Sequence, residues 1–330
     1  MASKVEDSWC DWRVQIYHCH YSNLWRIFFC IMSTMCFTVA AIGIYILYRK
    51  ICVNGGRFFN VIEGWKQPRP FECFILWMTV SCLGHGIYGV LILVDVLKSE
   101  ANKEFWQSWP WNAAQVAVVL YFFGILHATP ALDIKSTAST EPQALPSSRT
   151  MSILTTLFTA VPAAVLTLLS VLSGFARDQK WTHAQDALLI LTLTVWALVC
   201  IATALAVGYS GSRLINLIKS AIPLLPSSST QIRLTRTARK VYLLTGWIVI
   251  KLCIYAAALL LFAGFRERIL ENAPLSIFLA GCWWLCLPSG LLVVFIVALV
   301  VSHQTHRVSD SSSSFKFPFD MQSQPASDPS

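Results

Sequence analysis

The 330-residue chain is 55% hydrophobic and only 13% charged, with a mean hydropathy of +0.58. That is more apolar surface than a soluble fold of this length can hide, so lipid must cover the excess. The formal net charge of +8 comes from Lys and Arg placed between apolar stretches rather than along one soluble face. Anionic lipid head groups, and not nucleic acid, are therefore the expected counter-charge.

Residues 1–24 are polar and carry Lys4, Glu6, Asp7, Asp11 and Arg13 where a cleavable leader would need an apolar core. They are expected to form a short outer segment, with the first span as the insertion signal. Cys10 and Cys19 share that segment and are candidates for one disulfide. Seven apolar stretches follow, at 27–48, 74–94, 112–132, 151–176, 187–209, 241–265 and 274–301. Each exceeds the roughly 20 residues that a helix rising ~1.5 Å per residue needs to cross ~30 Å of hydrocarbon. None alternates with period 2, which excludes barrel strands. The expected fold is all-α: a polytopic, seven-transmembrane helix bundle over residues 25–302.

Orientation follows from Lys and Arg. Loops 49–73, 133–150 and 210–240 and the tail hold fifteen, against nine on the other side, so the N-terminus is expected outside and the C-terminus in the cytosol. The plasma membrane is the preferred location. The outer connections are short and leave no room for a separate ligand-binding domain. The largest inner loop, 210–240, has no acidic residue. Its first part, Arg213 to Lys219, spaces apolar residues at helical intervals and prolongs the fifth span. Pro223 and Pro226 stop it, and Ser227 to Thr230 form a turn. Arg233, Arg236, Arg239 and Lys240 then lead into the sixth span as a candidate docking surface for a cytoplasmic signalling protein. Three of them, Arg236, Arg239 and Lys240, share one helical face. Residues 303–330, rich in Ser, Asp, Gln and Pro, are expected to be a disordered cytoplasmic tail.

Ionisable groups at membrane depth cost at least ~2.5 kcal/mol on insertion scales, which makes each a functional candidate. Lys251 lies ten residues into the sixth span and His85 eleven into the second, at nearly equal depth. Asp95, the acid beside these spans, is offset from His85 by roughly 15 Å, too far for direct contact. Lys251 therefore snorkels, loses its proton, or faces a hydrated cavity. If a cavity is present, His85, Lys251, Asn112 and Gln115 are its candidate ligand-binding residues. Pro162 and Pro288 fall near the middles of the fourth and seventh spans as candidate hinges. No metal and no cofactor is expected.

With seven spans, an outside N-terminus, a basic loop before the sixth span and a Ser-rich tail, the chain resembles G-protein-coupled receptors over its whole length in topology. The motifs of their largest family are absent. Where those receptors carry Asp/Glu-Arg-Tyr, this chain has His127-Ala-Thr-Pro130, and Leu287-Pro288-Ser289 stands in place of Asn-Pro-x-x-Tyr. A fainter similarity, through Trp109-Pro110, Gln115 and Tyr121-Phe122, is to the tobamovirus-multiplication family of seven-helix proteins. Ser81-Cys-Leu-Gly-His85, followed by Asp95, resembles the Ser-x-x-x-His of seven-helix metal-dependent lipid hydrolases. Their late His-x-x-x-His is replaced here by His303-x-x-His306. The expected function is a receptor-like membrane protein that senses a small ligand among its helices and signals through its cytoplasmic loops. A transporter or non-signalling scaffold is the alternative, and a metal-dependent intramembrane hydrolase the second.

Overall fold

The computed structural model describes residues 11–17, 19, 21–53, 55, 59–62, 65–128, 148–222 and 228–296. All its long elements are helices: α1 (Ser22–Tyr48), α2 (Pro70–Val94), α3 (Glu100–Ala128), α4 (Ser148–Asp178), α5 (Thr182–Ala221), α6 (Ser228–Glu271) and α7 (Ala273–Ala280). A π turn, Gly281–Leu285, follows α7 and leads into helix again over 286–296. Another, Arg49–Val53, extends α1. The connection to α2 contains one antiparallel hairpin, β1 (Phe59–Ile62) on β2 (Trp65–Pro68), registered Phe59 opposite Pro68 and Ile62 opposite Trp65.

Six helical stretches among the described residues are long and apolar enough to cross a membrane: Ser22–Val53, Pro70–Val94, Ile153–Asp178, Thr182–Ser220, Tyr242–Glu271 and Ala273–Ile296. They make the chain a multi-pass integral membrane protein. The expected third span, 112–132, falls on α3, which is missing from those six. That helix begins twelve residues earlier than expected, and its outer turns carry Glu100, Lys103, Glu104 and Gln107, while 129–132 lie outside the described residues. The first, second, fourth, fifth and sixth expected spans each sit on one helix, and the last runs through α7, the π turn and the helix that follows it. The fifth is prolonged to Ala221 as its helical spacing predicts, and 297–301 of the last lie outside the described residues. The turn expected at Ser227 to Thr230 is shorter than read, because α6 already begins at Ser228.

Helix ends follow ordinary capping chemistry. Pro70 opens α2, where an amide donor would be unsatisfied anyway. Asp95 closes it in the left-handed region (φ 51), its N–H donating to Ile92 O. The start of α3 is capped from another helix. Asp178, at the end of α4, accepts from Ser99 Oγ at 2.7 Å and from the Glu100 and Ala101 amides at 2.9 and 3.3 Å.

Each helix packs on its neighbour in sequence, and α3 also reaches α5. Small residues permit the closest approaches. A Cβ at Gly174 of α4 would stand 2.5 Å from Ala101 Cα of α3, so no larger residue fits there. Gly43 and Gly89 likewise let α1 and α2 meet at Thr79 and Ser33. On the outside, α4 presents Leu157, Phe158, Val161, Val165, Leu168 and Leu172, all exposed, to the surrounding hydrocarbon.

The hinge candidates divide. Pro162 lies inside an uninterrupted α4. Pro288 follows the π turn at Gly281–Leu285, where the helix is already widened. A break the sequence did not disclose occurs at Phe265 in α6 (φ −128, ψ 26).

Candidate functional site

The site begins with a segment that precedes every span. Residues 11–15 form a turn in which the amides of Val14 and Gln15 donate to Asp11 O at 3.1 and 3.0 Å. The turn folds into the end of the bundle. Trp12 is fully buried, stacked on Trp25 (5.5 Å between ring centroids) and edge-on to Phe262 and Trp283 at 5.9 and 6.2 Å. Tyr88 of α2 donates its hydroxyl hydrogen to Arg13 O, and Tyr17 donates to Leu93 O. Cys19 is disulfide-bonded. The nine cysteines from Cys30 to Cys286 are free, and Cys10 lies outside the described residues.

This plug is held by charge as well as by rings. Arg13, 2% exposed, forms a fork with Asp11: Nε to Oδ1 at 3.0 Å and Nη2 to Oδ2 at 2.8 Å. Asp11 also meets Arg266 of α6 at 3.2 Å and Arg177 of α4 at 4.0 Å, while Arg13 Nη2 stands 3.6 Å from Glu104 of α3. Two helices, α4 and α6, are thereby tied to one buried carboxylate, and α3 is tied to its partner Arg13. Burial alone would raise the Asp11 carboxyl, but the Arg13, Arg266 and Arg177 guanidiniums outweigh it and hold it well below the usual carboxylate range. Burial would also lower Arg13, yet Asp11 and Glu104 hold it firmly protonated. For Glu104 the balance reverses. Its burial pushes the carboxyl up, Arg13 offsets only part of that, and Asp11 adds to it.

Beneath the plug lies a cavity with about 100 Å³ accessible to the centre of a water molecule. Its end beneath the plug is polar, lined by Arg13, Glu104, Gln107, Ser108, Ser170 and Ser173. Its walls are mostly apolar, from Leu189, Leu193 and Trp196 on α5 and Leu252 and Leu259 on α6, and its inner part reaches Gln115, Trp247 and Lys251. Gln115 Nε2 donates to Thr203 Oγ1 at 2.8 Å, fixing its amide against α5. Lys251 Nζ donates to Cys286 O at 3.3 Å, lies 2.6 Å from Cys286 Sγ, and stands 5.6 Å from the centroid of the Trp247 ring. No carboxylate among the described residues forms an ion pair with it.

Of the four cavity residues expected from sequence, the structure brings together Lys251 and Gln115 and sets the other two apart. His85, 2% exposed, packs edge-on against Trp111 at 4.6 Å and Trp284 at 5.3 Å, so that Trp111, itself a cavity wall, stands in front of it. Equal depth did not mean a shared face. Asn112 turns toward α4, donating to Thr167 Oγ1 at 2.7 Å and Ala163 O at 3.4 Å, and is a helix-to-helix tie. Sequence reasoning missed Arg13 and Glu104. The available signal was the pair Asp11 and Arg13 flanking a tryptophan beside a cysteine, too polar for the membrane and too aromatic for a loose terminus.

The histidine reading of a metal site has only a local geometry here. Ser81 Oγ lies 3.4 Å from His85 Nδ1, whose closer partner is Ser81 O at 2.9 Å, one helical turn away. Asp95 is exposed at the end of α2 and pairs with Lys98 at 3.2 Å. Among the described residues no group of three His, Cys, Asp or Glu side chains could hold a metal ion; His303 and His306 lie outside them. At its start, α6 carries Arg233, Arg236, Arg239 and Lys240. Arg239 is exposed, and the other three side chains lie outside the described set, as does the tail 303–330.

Fold and site together define a multi-pass helical membrane protein with a cavity between its helices, beneath its own N-terminal segment. Compared with protein-family models, curated proteins and solved structures, the chain matches none.

Proposed function

We propose that the protein is a receptor-like integral membrane protein that senses a small ligand inside its helix bundle and signals through the cytoplasmic loop 210–240. The observation that carries this reading is the cavity itself. It lies between the helices, is apolar along its walls and polar at both ends, the usual character of a small-molecule site. Its roof, Arg13, is linked through Asp11 to Arg177 and Arg266, so displacement of the plug by a ligand acts on α4 and α6 directly. The inner end of α6 bears Arg233, Arg236, Arg239 and Lys240, where a helix shift reaches a cytoplasmic partner. The disulfide at Cys19 supports an outside N-terminus, because such bonds persist in oxidising compartments, and the reading places the protein at the plasma membrane.

Fluorophores at positions 219 and 239 report the separation of the inner ends of α5 and α6. Release of the plug by Asp11→Asn is expected to change that separation and to alter nucleotide exchange on G proteins in membranes carrying the protein. An unchanged separation, together with exchange at background in both forms, counts against the receptor reading.

A further inference from the structure

We infer that the ligand of this cavity is an acyl-chain carboxylate of medium length, its head group held by Lys251 and its chain running toward the plug. The inference rests on the reading of the cavity as a ligand site and names what enters it.

The first argument is charge. An ammonium has three donors and no acceptor. Lys251 spends its donors on a carbonyl at 3.3 Å and a thiol, and stands over the Trp247 ring. These neutral partners leave a cation in the middle of the bilayer without a counter-ion among the described residues. Such a group is costly to hold, and an incoming anion removes the cost. A cationic ligand is repelled, and a neutral one leaves the charge as it was. The other cation on the cavity wall, Arg13, is already committed to Asp11 and Glu104. One uncommitted positive charge matches a monoanionic carboxylate better than a dianionic phosphate, which would need a second.

The second argument is shape. The wall contributed by α3 runs from Glu104 to Val118, about 21 Å of helix at ~1.5 Å per residue. The lining residues strung along that length on α3, α5 and α6 outline an elongated slot, which suits a single extended chain. From Lys251 to Leu259 on α6 is about 12 Å along the helix, the reach of an extended decanoate. Between them Leu252 on α6 and Leu189 and Leu193 on α5 provide apolar walls. Beyond Leu259 the lining turns to serines, Gln107 and the Arg13–Glu104 pair, where further methylenes would displace polar groups from their partners. The polar roof therefore sets the chain length.

The test uses the full chain in nanodiscs of zwitterionic lipid and equilibrium binding of radiolabelled decanoate, with competitors matched for concentration in the bilayer. Saturable binding is expected, with methyl decanoate and decyl phosphate each at least tenfold weaker competitors and hexadecanoate weaker than decanoate. Lys251→Gln is expected to lose binding at least tenfold and Lys251→Arg to keep most of it, each checked for folding by its unliganded melting. Leu193→Trp, which fills the slot, should abolish binding. If methyl decanoate competes as well as the acid, the head-group assignment falls while the ligand cavity stands. If decyl phosphate wins, the carboxylate falls and an anion site remains. If neither acid nor ester binds saturably, or Leu193→Trp changes nothing, the cavity reading falls with it. Should Lys251→Gln fail to fold, the acid-against-ester comparison on the unaltered chain decides.

Discussion

Asp11 and Lys251 pose the same physical problem in two parts of the molecule, a charge withdrawn from water, and the chain answers it in opposite ways. Around Asp11 three guanidiniums converge within 4.0 Å, and the carboxylate becomes the knot that ties the N-terminal plug to α4 and α6. Around Lys251, among the described residues, stand a carbonyl, a thiol and an indole face, and no carboxylate pairs with it. A compensated buried charge is a structural element, whose removal strands its partners. An uncompensated one is a site held at the expense of stability, so mutation should move stability in opposite directions at the two places.

The largest effect is expected at the plug. Asp11→Asn leaves Arg13 buried without its fork and is expected to cost about 3 kcal/mol or more, read as a fall in melting temperature and as protease cleavage near residue 11. The pH dependence has a definite sign. A carboxyl held below its ordinary value of 3.8 contributes stability that is complete above that value and lost as pH falls through the folded value. Protection of the plug by Asp11 should thus be flat from neutral to mildly acidic pH and fail only in strong acid. Failure near neutrality would show that Asp11 is not the knot.

Lys251→Met is the next largest and has the opposite sign. It removes a lone cation from the bilayer interior and is expected to raise the stability of the unliganded protein by about 2 kcal/mol, measured by thermal unfolding. Destabilisation instead would mean that the bonds to Cys286 outweigh the desolvation of the ammonium.

Glu104→Gln sharpens the comparison from within the charged cluster. Burial raises this carboxyl, so its contribution is fully present below 4.5 and lost as pH rises through the folded value. The variant should be more stable than the parent at neutral pH, with the difference vanishing in acid. Melting curves across that range decide it. The smallest effect is expected at Lys98→Ala. Its partner Asp95 and Lys98 itself are both exposed, and loss of such a pair should change stability by less than about 0.5 kcal/mol.

Particular residues show how far the sequence could be read. The membrane class and most helix bounds were legible, because hydrocarbon leaves the backbone no partner but itself and spans must be long and apolar. Lys251 and Gln115 were legible as cavity residues by polarity alone. His85 and Asn112 were not separable from them, because depth is set by residue count whereas facing is set by helix rotation and by which neighbour, Trp111 or Thr167, takes up the polar atoms. The length of α3 was misjudged for a related reason. Its outer turns are too polar to read as a span but are held in the helix by the cap from Asp178, about eighty residues away.

From its sequence alone, then, this protein is committed to lipid, to helices and to a lysine placed within one of its spans, since these follow from composition and from the local needs of a backbone without water. Only the tertiary structure decided that the N-terminal segment packs into the end of the bundle, that Asp11 gathers three arginines, and that Lys251 meets no acid among the described residues. Those outcomes depend on which helix faces meet, and the pairing of distant residues is a property of packing that no local stretch of chain contains.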